Sequence, residues 1–192
     1  MTDARAAMLE GLNLFRALEA WGATLYARWA DGEPDAELRA GHLIIAEREA
    51  NHARLLAERL RALGGAPGPA CVDEVLGRQL AELGGIRGFV AQLDALKAAN
   101  ERDADALAGC RAALARGFES AKTADPHTHA FWARLYSEER VSGGWYRATY
   151  AVLTGRRPGP VPPPVLSPEQ VIRRAESASA TAGEPAACLA VA

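Results

Sequence analysis

The sequence predicts an all-α chain: an antiparallel four-helix bundle over residues 1–154 and a Pro/Ala-rich C-terminal tail over residues 155–192. Three observations lead there. Val, Ile and Thr are sparse, Ala and Leu abundant, and no alternating run of strand length occurs. Apolar residues recur instead at helical spacing in four long stretches, each bounded by turn or capping residues. Two of the connections are short and the middle one is long, the pattern of a bundle with one crossover.

The first predicted helix runs from about residue 3 to 30, with Leu12, Phe15, Leu18, Gly22, Tyr26 and Trp29 on one broad face. It stops at Asp31, Gly32, Glu33 and Pro34, a turn cluster. The second runs from about 35 to 63 and ends at Gly64 and Gly65, with Pro67 and Pro69 beyond. A connection of about twenty residues follows, in which Val72 to Leu83 reads as a short helix. The third helix is expected over about 86–117. Asp125 and Pro126 supply an N-cap and a first-turn proline for the fourth, which ends near Leu153. The tail opens Pro-rich, has one candidate short helix near 168–176, and finishes in an Ala- and Ser-rich stretch expected to be disordered.

Bulk properties exclude several classes. A chain of 192 residues suits one domain with a sizeable core. A net charge of −2 gives no electrostatic footprint for nucleic acid. No apolar run approaches the roughly 20 residues of a membrane span, and the N-terminus lacks the apolar core of a secretory signal. Cys71, Cys110 and Cys188 are far apart and odd in number, which argues against a disulfide framework or a thiolate zinc site. Cys110 reads as a small buried hydrophobe. The default expectation is a cytoplasmic protein without membrane or nucleic-acid partners.

The residues that ask for chemistry lie in the second helix. Glu49 and His52, three apart, project from nearly the same face, which also carries Ile45, Leu56 and Leu63. A carboxylate and an imidazole on an apolar stripe are costly to bury unless paired or bound to a metal. The second and fourth helices also align with an offset of 90 residues. Gly64, Pro67 and Pro69 match Gly155, Pro158 and Pro160 with one insertion; Ile45 falls on Leu135, Leu56 on Tyr146, Glu49 on Glu139 and His52 on Ser142. The second half keeps the carboxylate and replaces the imidazole by a hydroxyl.

Two helices each giving a Glu, and two each giving Glu-x-x-His, make up the di-iron carboxylate pattern. On these residues the chain resembles the ferritin-like superfamily, and its rubrerythrin-type members in particular, over roughly residues 5–154, with the second Glu-x-x-His motif degenerate. The resemblance implies metal ligands at Glu19, Glu49, His52 and Glu139, with Asp103 or Glu101 from the third helix. Glu19 precedes Tyr26 by seven residues, a spacing common in that superfamily. Glu101 points about 110° from its helix's apolar stripe; Asp103 points better and reaches less far. Arg16 or Arg48 could instead pair with Glu19 or Glu139. Tyr26 is the catalytic candidate, as an electron relay near the metal; the plainer reading makes it, like the other aromatics, a packing residue. His42 is an extra ligand or proton carrier or, more plainly, a partly exposed histidine.

The resemblance implies one or two iron ions (Fe2+/Fe3+), with manganese as the alternative, and oxidase, peroxidase or hydroxylase chemistry on a small-molecule oxidant or substrate. The alternative is a non-catalytic bundle whose site has decayed into a buried polar network, acting through its surface as a structural or partner-binding protein. A homodimer face and a docking role for the C-terminal tail complete the expectations.

Overall fold

In the computed structural model, which describes residues 2–166, all regular structure is helical. The helices are α1 (Thr2–Asp31), α2 (Ala36–Ala62), α3 (Asp73–Leu83), α4 (Phe89–Arg102), α5 (Ala104–Ala124) and α6 (Pro126–Leu153). Aspartates cap the starts of α2 and α6, the latter as expected. Asp35 accepts from the backbone N–H groups of Glu37 and Leu38 at 2.8 and 3.0 Å, and Asp125 from those of His127 and Thr128 at 3.1 and 3.3 Å. Pro126 opens α6, where a missing N–H costs nothing.

The expected single third helix is two. The chain breaks at Asp103, whose carboxylate accepts from Arg78 at 2.8 Å and Gln79 at 2.9 Å, both on α3, and from Arg102. Pinning that side chain to a neighbouring helix offsets the interrupted turn, and α5 then continues to Ala124, beyond the expected end near 117.

One core cluster draws on all four long elements: Met8, Leu12 and Phe15 of α1, Leu56 and Leu60 of α2, Ala121 of α5, and Trp132 and Leu135 of α6. Further along, Leu38 and Ile45 of α2 meet Phe89 of α4 and Trp145 and Tyr146 of α6. Helices α1 and α5 cross at Gly11 and Gly117, so closely that a Cβ on Gly11 would lie 2.9 Å from the Gly117 Cα. No helix among the described residues is long and apolar enough to cross a membrane.

The cysteine expectation is corrected. Cys71 and Cys110 are joined in a disulfide, with Cα atoms 6.1 Å apart; the turn before α3 folds back onto α5, proximity that linear spacing does not show. The Pro-rich opening of the tail is packed against the helices. After Gly155, at φ +71°, the chain turns back so that Trp145 Nε1 donates to the Pro162 carbonyl at 2.7 Å and Arg48 to that of Val165. Val161 packs against the Leu38–Trp145 cluster. The candidate helix at 168–176, the disordered stretch and the docking role lie outside the described residues.

Candidate metal centre

Three helices converge on the imidazole of His52, which is fully buried. Its Nδ1 lies 3.0 Å from Glu19 Oε2 on α1 and 3.1 Å from Glu139 Oε1 on α6. Its Nε2 lies 3.0 Å from Glu138 Oε2, also on α6. Ligand atoms of Glu19, His52 and Glu139 all fall within 4.8 Å of one another, spacing that a single metal ion can bridge. Glu49, one turn before His52 on α2, reaches the carboxyls of Glu19 and Glu139.

The lining is tight on the α1 side. A Cβ at Gly22 would stand 3.1 Å from Glu49 Oε2, so glycine leaves the room that the carboxylate occupies. A cavity of about 290 Å³ opens beside the acids, bounded by Glu19, Glu49, Glu139, Tyr26, Tyr136 and Gly22 among others.

Electrostatics follow from crowding acids into a poorly hydrated space. Burial raises the pKa of Glu49 well above the ordinary carboxylate range, and the neighbouring Glu19 and Glu139 charges add to it. Burial also raises Glu19, with Glu139 adding and His52 opposing. For His52, burial disfavours the charged ring, but hydrogen bonds to Glu139 and Glu19 and the charge of Glu19 outweigh it, so its pKa is pushed up to about 10. Without a metal, the ring is a buried cation that partly neutralises the acids around it.

The donor set nevertheless fits a metal. An Nδ1 carries one hydrogen, and the Glu19 and Glu139 oxygens at 3.0 and 3.1 Å compete for that single donor. Deprotonated, Nδ1 would face the Glu19 and Glu139 oxygens as a ligand, while Nε2–H donates to Glu138, the outer carboxylate that holds a ligating histidine in place. The donors are carboxylate oxygens and one imidazole, with no thiolate among them.

The structure therefore brings together Glu19, Glu49, His52 and Glu139. Tyr26 joins them at the cavity wall; burial, then the Glu49 charge, raise its phenol well above its usual pKa. Two residues are not brought in. Asp103 stands at the α4–α5 break, its carboxyl held well below the usual range by Arg102, then Gln79. Glu101 is exposed and pairs with Lys97 at 3.0 Å. Both corrections have one cause: the break at Asp103 ties that part of the chain to α3, not to the acids.

His42 is fully buried rather than partly exposed, and contacts Tyr146 instead of the acids. Arg16 holds Asn13 and the Gly68 carbonyl. Ser142, the repeat's counterpart of His52, accepts from Arg48 Nη1 at 2.8 Å. Glu138 was missed by sequence reasoning. The signal was present: two consecutive glutamates opposite a lone imidazole can reach both of its nitrogens.

No family profile, curated protein or solved structure matches the chain.

Proposed function

We propose that this chain is a ferritin-like metalloprotein that holds one iron or manganese ion between α1, α2 and α6. The observation that carries this reading is the convergence of Glu19, His52 and Glu139 within 4.8 Å, two of the three fully withdrawn from solvent. Glu49 stands as a further or bridging carboxylate, and Glu138 orients the imidazole. A divalent cation offsets more of the charge of four carboxylates around one imidazole than a single proton on His52 does.

A single ion is favoured over two. The repeat position that would give a second imidazole is Ser142, engaged with the fixed cation of Arg48. The third-helix acids expected to complete a pair lie elsewhere. A bound ferrous ion would supply oxygen or peroxide reactivity. The chain's own residues provide the rest: Glu19 and Glu139 anchor, Glu49 carries a carboxyl whose pKa burial and then the Glu19 charge raise well above the ordinary range, and Tyr26 bounds the adjoining cavity.

One observation favours the non-catalytic alternative. Protonated His52 contacts three carboxylates at 3.0 to 3.1 Å, so the cluster is held together without any ion. Metal analysis separates the two. Protein expressed in iron- and manganese-supplemented medium and purified without chelator is expected to carry about one ion per chain. His52→Ala should lose that ion while keeping its helical circular dichroism. An empty wild type, or unchanged uptake in the variant, overturns the metal reading.

A further inference from the structure

A second cavity backs onto the same tyrosine. It has a volume of about 730 Å³ and lies between α4 and α6, with Tyr26, Tyr146 and Leu93 among its walls and Lys97, Arg147 and Arg156 around it. That volume is within the usual range of small-molecule sites, about 300–1,000 Å³. Tyr26 is common to this cleft and to the cavity beside Glu19, Glu49 and Glu139.

The charge in the cleft is unbalanced. Its one acid, Asp94, accepts the Tyr150 hydroxyl proton at 2.6 Å, and Lys97 is engaged by Glu101. Arg156 lies over the Tyr150 ring at 5.4 Å and Arg147 borders Gly143; neither guanidinium forms an ion pair among the described residues. Two guanidiniums beside one cavity match a planar two-oxygen anion, since each presents paired N–H donors in the geometry of a carboxylate. The inner wall is of a different kind. It is lined by Leu93, Leu96 and the rings of Tyr26 and Tyr146, which pack on each other with centroids 5.2 Å apart, an apolar surface that suits an aromatic body.

We propose that this cleft binds an aromatic monocarboxylate, its carboxylate held by Arg147 and Arg156 and its ring laid toward Tyr26 and Tyr146. The far end of such a molecule abuts the tyrosine that bounds the acid cluster, which makes it the substrate class of the candidate centre. That substrate role rests on the metal reading; the binding of the acid does not.

The test is calorimetric titration of metal-free full-length protein with benzoate and 2-naphthoate, and with 2-naphthalenemethanol as the neutral isostere of the latter. At least one of the two acids should bind the wild type. The double variant R147Q/R156Q, whose side chains are exposed, should bind it about tenfold more weakly or worse, with circular dichroism unchanged. R54Q, an exposed α2 position outside the cleft lining, should bind as the wild type does, and the alcohol should bind more weakly than the acid and be indifferent to the double substitution. Absence of binding by both acids, or equal affinity in R147Q/R156Q, overturns the proposal. Because the titrations contain no metal, an empty metal centre and a failed cleft give separate results.

Discussion

His42 Nδ1 lies 3.0 Å from the phenolic oxygen of Tyr146, a hydrogen bond between two side chains withdrawn from solvent. Around the ring stand Trp29, Phe89 and Trp145, all within about 6 Å between centroids, an apolar enclosure that disfavours charge. Burial lowers the ring's pKa to about 4, with Gln92 pulling weakly the other way. The ring therefore stays neutral well below the 6.5 of an exposed histidine. A depressed pKa in the folded state contributes stability above 6.5 that is lost as pH falls toward 4, on the order of 3 kcal/mol for this buried group. Nitrogen-detected NMR should find His42 neutral at pH 5.5, and a charged ring there would contradict the enclosure.

Glu138 and Glu139 are neighbours in sequence with different expected effects. Glu138→Gln keeps a hydrogen-bond acceptor for Nε2–H but removes the charge behind the ring. It should leave metal stoichiometry intact and weaken affinity about 10- to 100-fold. Glu139→Gln removes a ligand and should empty the site. Competition against a coloured chelator reads both; equal behaviour of the two variants would mean the imidazole is not oriented by Glu138.

The metal-free protein should become less stable on the alkaline side. His52, with its pKa raised to about 10, contributes stability that is complete below 6.5 and lost as pH rises through 10. The raised carboxyls of Glu19 and Glu49 act in the same direction, because they too bind their protons more tightly when folded. Thermal melts at pH 6.5, 8 and 9.5 should show a falling Tm without metal. A bound divalent ion replaces those protons, so the slope should flatten when iron or manganese is added. A metal-free Tm that holds level over this range would count against the buried His52 cation.

Titration of thiols in denaturant without reductant should find one per chain, since two of the three cysteines are joined. Reduction should raise the count to three. The bridge closes a loop of 39 residues, for which chain entropy gives a contribution of about 4 kcal/mol. A drop in Tm on reduction, absent in a Cys71→Ser/Cys110→Ser variant, checks that contribution.

Much of this was legible in the residues. Gly64, Asp125, Pro126 and Gly155 punctuate the helices because each solves a local backbone problem that the sequence states outright. Glu49, His52, Glu19 and Glu139 could be placed inside because helical spacing puts them on apolar stripes. What escaped depends on contacts between elements. Asp103 looked like a mid-helix ligand, and only the presence of Arg78 and Gln79 on α3 turns it into a break. The Cys71–Cys110 bridge, the burial of His42 and the packing of Val161 are likewise set by which helix lies opposite, and periodicity within one helix carries no record of that.

The crossing of α1 and α5 at Gly11 and Gly117 reaches further than its own neighbourhood. With no side chain on either glycine, the two backbones meet directly and the separation of the helices has a hard lower limit. Glu19 lies eight residues along α1 from that pivot, about 12 Å at 1.5 Å per residue. Any methyl group added there must lever α1 outward, carrying the Glu19 carboxylate with it while every ligand keeps its chemistry. The spacing between Glu19 and its partners His52 and Glu139 is thus gauged by two residues that touch none of them.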